Sequence, residues 1–317
     1  MLSRIFCGDA RDILPTLTSG SVQCCVTSPP YWGLRDYGIE RQIGREASSS
    51  EYIAALMPIF DEIWRILRGD GTLWLVLGDT YINKNLAGIP WRVALALQAR
   101  GWLLRADLIW HKPNPMPESV QDRPTRAHEY LFLLSKSARY YYDSAAVREP
   151  VAAFGNGQWQ GQQSLSFART VHEPERPDST GPNHRPERGV KHRTVREGVD
   201  TKGGGQGSGT MSFPLDSRNK RSVWTIPTRP FPEAHFATFP PDLIRPCILA
   251  GCPAGGSVLD PFFGSGTVGQ VCVEEGRRFI GIEVNPDYVA MAETRIAAAR
   301  PRGPRQVSFW ETVEAMA

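Results

Sequence analysis

Two periodicities alternate along the first 150 residues and return after residue 240. Short apolar runs at 5–7, 22–27, 72–77, 104–110, 130–134, 257–259 and 279–282 have the length of strands covered on both faces. Between them, 51–68 sets Ile53, Leu56, Met57, Phe60, Ile63, Trp64 and Leu67 on a 3.6-residue stripe, with Gly69 and Gly71 as its expected stop. Stretches 89–100, 241–250, 266–275 and 286–299 are expected to be helices of the same kind, and strands alternating with helices imply a parallel α/β sheet. The pattern lapses from 154 to 221, where Gly, Pro, Gln, Ser and Arg crowd the chain and leave too little apolar surface to order it. The expected organisation is therefore 1–142, an irregular insertion at 143–222 with mobile parts, and 223–317.

Composition narrows the class. With 317 residues, 41% hydrophobic and 22% charged, the chain is an ordinary globular one. Its apolar runs are far shorter than the roughly 18 residues a membrane span needs, and the N-terminus lacks a signal-peptide core, so a cytoplasmic protein that meets no membrane is expected. Six cysteines without C-x-x-C spacing suggest buried free thiols, with neither a disulfide framework nor a metal site. The net charge of +3 implies no anionic partner by itself, but 151–222 carries 11 Lys/Arg against 7 Asp/Glu. The basic excess sits in the insertion.

Two motifs carry chemistry. In the first, the strand at 257–259 runs through Asp260-Pro261-Phe262-Phe263 into Gly264-Ser265-Gly266-Thr267-Val268-Gly269 and a helix, and Glu283 ends the next strand. Glycines there allow a tight turn and close approach of a ligand to the backbone, while a strand-end carboxylate suits the hydroxyls of a ribose. An adenosine-containing ligand follows, although Gly264-x-Gly266-x-x-Gly269 also fits a nucleotide-dependent oxidoreductase. In the second, the apolar run 22–27 ends in Ser28-Pro29-Pro30-Tyr31-Trp32. Prolines present carbonyl acceptors with no amide donors beside them. The Ser28 hydroxyl and Pro29 carbonyl can then accept from the exocyclic amine of a base and free its lone pair, with Tyr31 stacked on the flipped base.

Together these motifs resemble an amino-group DNA methyltransferase of the permuted β class, in which the catalytic motif precedes the cofactor loop. Cys7-Gly8-Asp9 is similar to the family's early motif, and His235 to Leu243 to its cofactor-side motif. The resemblance implies a seven-stranded, mostly parallel sheet with one antiparallel strand and helices on both faces. It places the catalytic Ser28, Pro29, Pro30 and Tyr31 beside an S-adenosylmethionine site formed by Asp9, Phe239, Asp260, Phe262, Gly264, Gly266, Thr267 and Glu283. Serine before Pro-Pro-Tyr is closer to the N4-cytosine subgroup than to N6-adenine enzymes, which stay as the alternative.

Double-stranded DNA is the expected partner, with nucleoid association through it. Trp32, His111, Lys112, Arg185, Arg188, Lys191 and Arg193 are the candidate DNA contacts, and the insertion is the expected reader of the target site. A homodimer and a cognate restriction endonuclease stay open. His128-Glu129 introduces a strand that Tyr140-Tyr141-Tyr142 would complete as a hairpin, those aromatics serving mainly in packing. Arg35, Asp36 and Tyr37 follow the catalytic motif as a loop over the pocket. A catalytically silent DNA-binding protein would need no cofactor pocket, and an RNA or small-molecule methyltransferase accounts less well for the basic insertion.

Overall fold

A computed structural model describes residues 3–34, 36, 38–39, 41–150, 217–228 and 239–302. Among them, eight strands form one sheet: β1 Arg4–Cys7, β2 Val22–Thr27, β3 Leu67–Leu77, β4 Leu103–His111, β5 His128–Ser135, β6 Val223–Thr225, β7 Ser257–Asp260 and β8 Arg278–Glu283. Their spatial order is β1-β8-β7-β2-β3-β5-β4-β6. Every neighbouring pair is parallel except the two that β5 makes, with β3 and β4.

The helices are α1 Ala10–Ile13, α2 Ser49–Ile66, α3 Ile89–Ala99, α4 Pro241–Gly251, α5 Thr267–Glu274 and α6 Pro286–Ala298. α1 to α3 bury Ala10, Leu56, Phe60, Ile63, Val93 and Leu97 on one face of the sheet. α4 to α6 bury Leu243, Ile248, Val268, Val271 and Ala292 on the other. The central β2 is buried throughout, as a strand covered by both layers must be.

Three local expectations are corrected. The sheet has an eighth strand, because Trp224 is buried at its edge in register with Trp110, and a run of three residues is too short for periodicity to reveal. β3 starts at Leu67, and a register shift against β2 at Gly69 to Gly71 absorbs the residues expected to end α2. Tyr140–Tyr142 form no hairpin. β5 pairs instead with β3 and β4, while Tyr142 stacks on Trp74 at 6.4 Å and Tyr141 donates its amide to Asp70. Among the cysteines, Cys7 is exposed and the other five are buried.

The chain divides into two units, 1–149 with 217–317, and 150–216. The ends of the expected insertion, 143–149 and 217–222, belong to the first unit. Residues 151–216, with Arg185, Arg188, Lys191 and Arg193, lie outside the described residues, as do His235, Arg35 and Tyr37. Among the described residues, no helix is long and apolar enough to cross a membrane, and no cluster of His, Cys, Asp and Glu has the geometry of a metal site.

Candidate active site

β2 and β7 are adjacent and parallel, and the chain leaves them in opposite directions along the sheet, β7 toward β8 and β2 toward β3. Ligands in open α/β sheets bind at such a reversal, beyond the carboxyl ends of the strands. The Ser28 loop leaves β2 and the glycine loop leaves β7, so the two motifs emerge side by side. They are joined directly: the Thr27 hydroxyl donates to Asp260 Oδ1 at 2.7 Å across 233 residues of sequence. One cavity of about 400 Å³ is lined by Asp9, Ser28 to Tyr31, Trp110, Lys112, Glu129, Phe239, Phe262, Gly264, Thr267 and Glu283, among others.

On the β7 side, Glu283 is buried, and its two carboxylate oxygens accept the amides of Gly264 at 2.7 Å and Asn285 at 2.8 Å. Burial pushes its pKa up, against the pull of those amides. Each oxygen keeps lone-pair capacity for a further donor, as a ribose diol would require. Gly264 lies at φ +52°, and a Cβ added there meets no atom within 4 Å, so the wall of the cavity is open in front of that backbone. A ligand pressed against the backbone there fits the residues present.

Gly266 plays a different part from the one its motif suggests. It caps α5 at φ +79°, and a Cβ there would lie 2.7 Å from Ala292 Cβ of α6, so its small size serves helix packing.

Asp260 does not itself line the cavity. It accepts from Thr27 and from the Phe262 amide at 3.1 Å, while its buried Oδ2 has no partner among the described residues. Burial, with the Glu283 charge adding to it, pushes its pKa up to about 7. Asp9 caps α1 and grips Arg11; burial alone would raise its carboxyl, but the Arg11 hydrogen bonds hold it below the usual range.

On the β2 side, Tyr52 donates to the Pro30 carbonyl at 2.8 Å, and no described residue donates to the Pro29 carbonyl. The Tyr31 hydroxyl donates to Glu129 Oε2 at 2.8 Å, and Lys112 Nζ donates to Glu129 Oε1. Lys112 also sits 4.2 Å from the Trp110 ring centroid. Gly78 leaves room for the Tyr31 ring, because a Cβ there would lie 2.4 Å from Tyr31 Cε2.

The structure thus brings Ser28, Pro29, Pro30, Tyr31, Asp9, Phe239, Phe262, Gly264, Thr267, Glu283 and Lys112 to one cavity. Trp32 is not on its wall: it packs half-buried on the core and donates its indole N–H to Glu46, tying down the loop beyond the catalytic motif. Leu34, Ile39, Arg41, Gln42 and Ile43 of that loop line the cavity. His111 also stays off the wall, with Nδ1 3.2 Å from Thr225 Oγ1, and Lys112 is committed to a carboxylate rather than standing free.

Glu129, Gly78 and Tyr52 carry site geometry that sequence reasoning did not single out. The available signal was Glu129 itself, a charge alternating with Leu131 and Leu133 on one face of a strand.

Comparison with known proteins places this site in a family. A family model described as DNA methylase, covering N6 and N4 enzymes, matches residues 22–294. The type II methyltransferase M.Cfr9I of Citrobacter freundii is 44% identical over 321 residues, covering 92% of this chain and 87% of that protein. M.SmaI of Serratia marcescens is 40% identical over 326 residues, covering 94% and 91%. In three dimensions the chain is similar to the PvuII DNA methyltransferase (cytosine-N4-specific), with a TM-score of 0.64 at 17% identity over 99% of this chain and 91% of that one. It also resembles TTHA0409 of Thermus thermophilus complexed with S-adenosyl-L-methionine, with a TM-score of 0.57 at 22% identity over 95% and 97%. With a family model over most of the chain and relatives matched over nearly their whole length in agreement, the chain belongs to the N6/N4 DNA methylase family.

Proposed function

We propose that this DNA methyltransferase moves a methyl group from S-adenosylmethionine to N4 of a cytosine flipped out of double-stranded DNA. One observation carries the reading: the Ser28 loop and the Gly264–Glu283 pair open into a single cavity, so an amine acceptor site and a nucleoside site share walls. Serine before Pro-Pro-Tyr favours cytosine, and a similarly folded solved structure is titled cytosine-N4-specific. N6 of adenine is the second reading, because the family spans both amines.

The chemistry asked of the chain is positioning and desolvation. Glu283 would hold the ribose of the cofactor, and the Gly264 backbone its approach. When bound, the cofactor supplies a methyl carbon made electrophilic by its sulfonium. Ser28 Oγ and the Pro29 carbonyl accept from the base amine, which localises its lone pair toward the cofactor side of the cavity. Once alkylated, the nitrogen sheds one proton, and no side chain with a tuned pKa is needed to take it.

Target selection is assigned to 143–222, where Arg, Gln and Asn offer partners for base edges in the major groove. Relatives named type II methyltransferases suggest a place in a restriction-modification pair. Calorimetric titration tests the cofactor assignment: S-adenosylmethionine should bind without DNA and NAD should not. NAD binding without S-adenosylmethionine binding would move the glycine loop to the oxidoreductase reading.

A further inference from the structure

Among the described residues, two large apolar side chains line the cavity and yet stay well exposed. Val284, 42% exposed, follows Glu283 and so sits on the nucleoside side. Leu34, 51% exposed, comes three residues after Tyr31 and sits on the amine side. On that side the reading above brings in the target base, so the DNA from which the base comes is what meets Leu34.

Backbone hydrogen bonds hold this leucine at the mouth. The Leu34 amide donates to the Tyr31 carbonyl at 3.4 Å, and Gly33 supplies, at φ +71°, the positive φ that a tight turn can require at its third residue. The Gly33 amide then donates to the Gly44 carbonyl at 2.9 Å, which ties together the two ends of the loop. Glu46 fastens them from behind: its carbonyl accepts the Trp32 indole N–H and its Oε2 accepts the Gly44 amide, both at 2.9 Å. Tyr31 itself is fixed through its hydroxyl on Glu129. Leu34 therefore keeps a set place one turn away from the residue that stacks on the base.

Taking a base out of a duplex breaks its pairing and leaves a gap in the stack. An apolar side chain that enters the gap gives the neighbouring bases a new contact, and leucine is among the side chains that proteins insert between base steps. Entry also removes the half-exposed leucine from water. We propose that Leu34 is such a wedge: carried on the turn after the catalytic motif, it enters the duplex where the target base leaves and keeps that base in the cavity. The inference rests on the base-flipping reading above, and it holds for cytosine and adenine alike.

The test uses the full-length enzyme and duplexes built around its own methylation site, with the target base either paired or opposite an abasic position. An unpaired base costs less to flip, so a wedge matters less there. Leu34→Ala should lower the single-turnover methylation rate by about tenfold or more on the paired duplex and by less than about threefold on the abasic one, with S-adenosylmethionine affinity and thermal melting unchanged. Leu34→Met, which keeps a long apolar side chain, should stay within about threefold of the wild type on both. Equal losses on the two duplexes would make Leu34 a wall of the base pocket and overturn the proposal, as would full rate on the paired duplex. 2-Aminopurine at the target position separates the wedge from the reading it rests on: the wild type should raise its fluorescence and Leu34→Ala should raise it less. An equal rise in both proteins would overturn the wedge alone, and no rise in the wild type would overturn base flipping and the wedge with it.

Discussion

Replacing Asp260 by asparagine should flatten the pH dependence of stability of the cofactor-free protein. The Asp260 carboxyl is buried, keeps Oδ2 without a partner among the described residues, and has its pKa pushed up from 3.8 to about 7. In the unfolded chain it would ionise near 3.8, so between those values the folded state holds a proton that the unfolded state has lost. Its stabilising contribution is complete below the lower value and is lost as pH rises through the higher one. At about 1.4 kcal/mol for each pH unit over which the two states differ by one proton, this single group removes about 2 kcal/mol of stability between about pH 5 and pH 7. Glu283, whose pKa is also raised by burial, tilts the curve the same way, so the variant keeps part of the slope. Asparagine can still accept from Thr27 and Phe262 but cannot ionise. Urea denaturation at several pH values would show the wild type losing stability over this range and Asp260→Asn losing about 2 kcal/mol less. Parallel curves for the two proteins would refute the buried-carboxyl reasoning.

Other substitutions separate the roles at the site. Gly266→Val, which drives a side chain into Ala292 at a positive φ, should lower the melting temperature strongly, whereas Gly264→Ala, which carries the strain of φ +52° but meets no atom within 4 Å, should lower it less and weaken S-adenosylmethionine binding in a calorimeter. Ser28→Ala should cut turnover by roughly a hundredfold, on the order of 3 kcal/mol, with cofactor affinity kept. Gly78→Ala pushes on the Tyr31 ring and should lower kcat in a methyl-transfer assay without loss of cofactor binding. Arg148 Nε and Ser217 Oγ lie 2.9 Å apart, so a short linker can replace 151–216; the shortened enzyme should bind S-adenosylmethionine but lose site selection and the steep salt dependence of DNA binding. Retained sequence preference would move target reading to the loop after Lys112.

The sequence showed most of the scaffold because its strands are covered on both faces. Cys24, Cys25 and Val26 must then be apolar in an unbroken run, and α2 must carry a stripe. The motifs at Ser28 and Gly264 were legible for a related reason: strand-end loops need particular residues to present their backbone. Side-chain partnerships left no such trace. Nothing in the order of residues says that Thr27 meets Asp260, that Tyr31 meets Glu129 across 98 positions, or that Gly266 is small for the sake of α6. Nor does it say that Trp32 and His111 lie off the cavity wall, where packing and register give them the partners Glu46 and Thr225.

The central claim is tested most directly by the product. DNA incubated with the enzyme and S-adenosylmethionine, digested to nucleosides and analysed by mass spectrometry, should contain N4-methylcytosine. N6-methyladenine in its place would contradict the cytosine assignment, and 5-methylcytosine would contradict the amine chemistry on which the site was built.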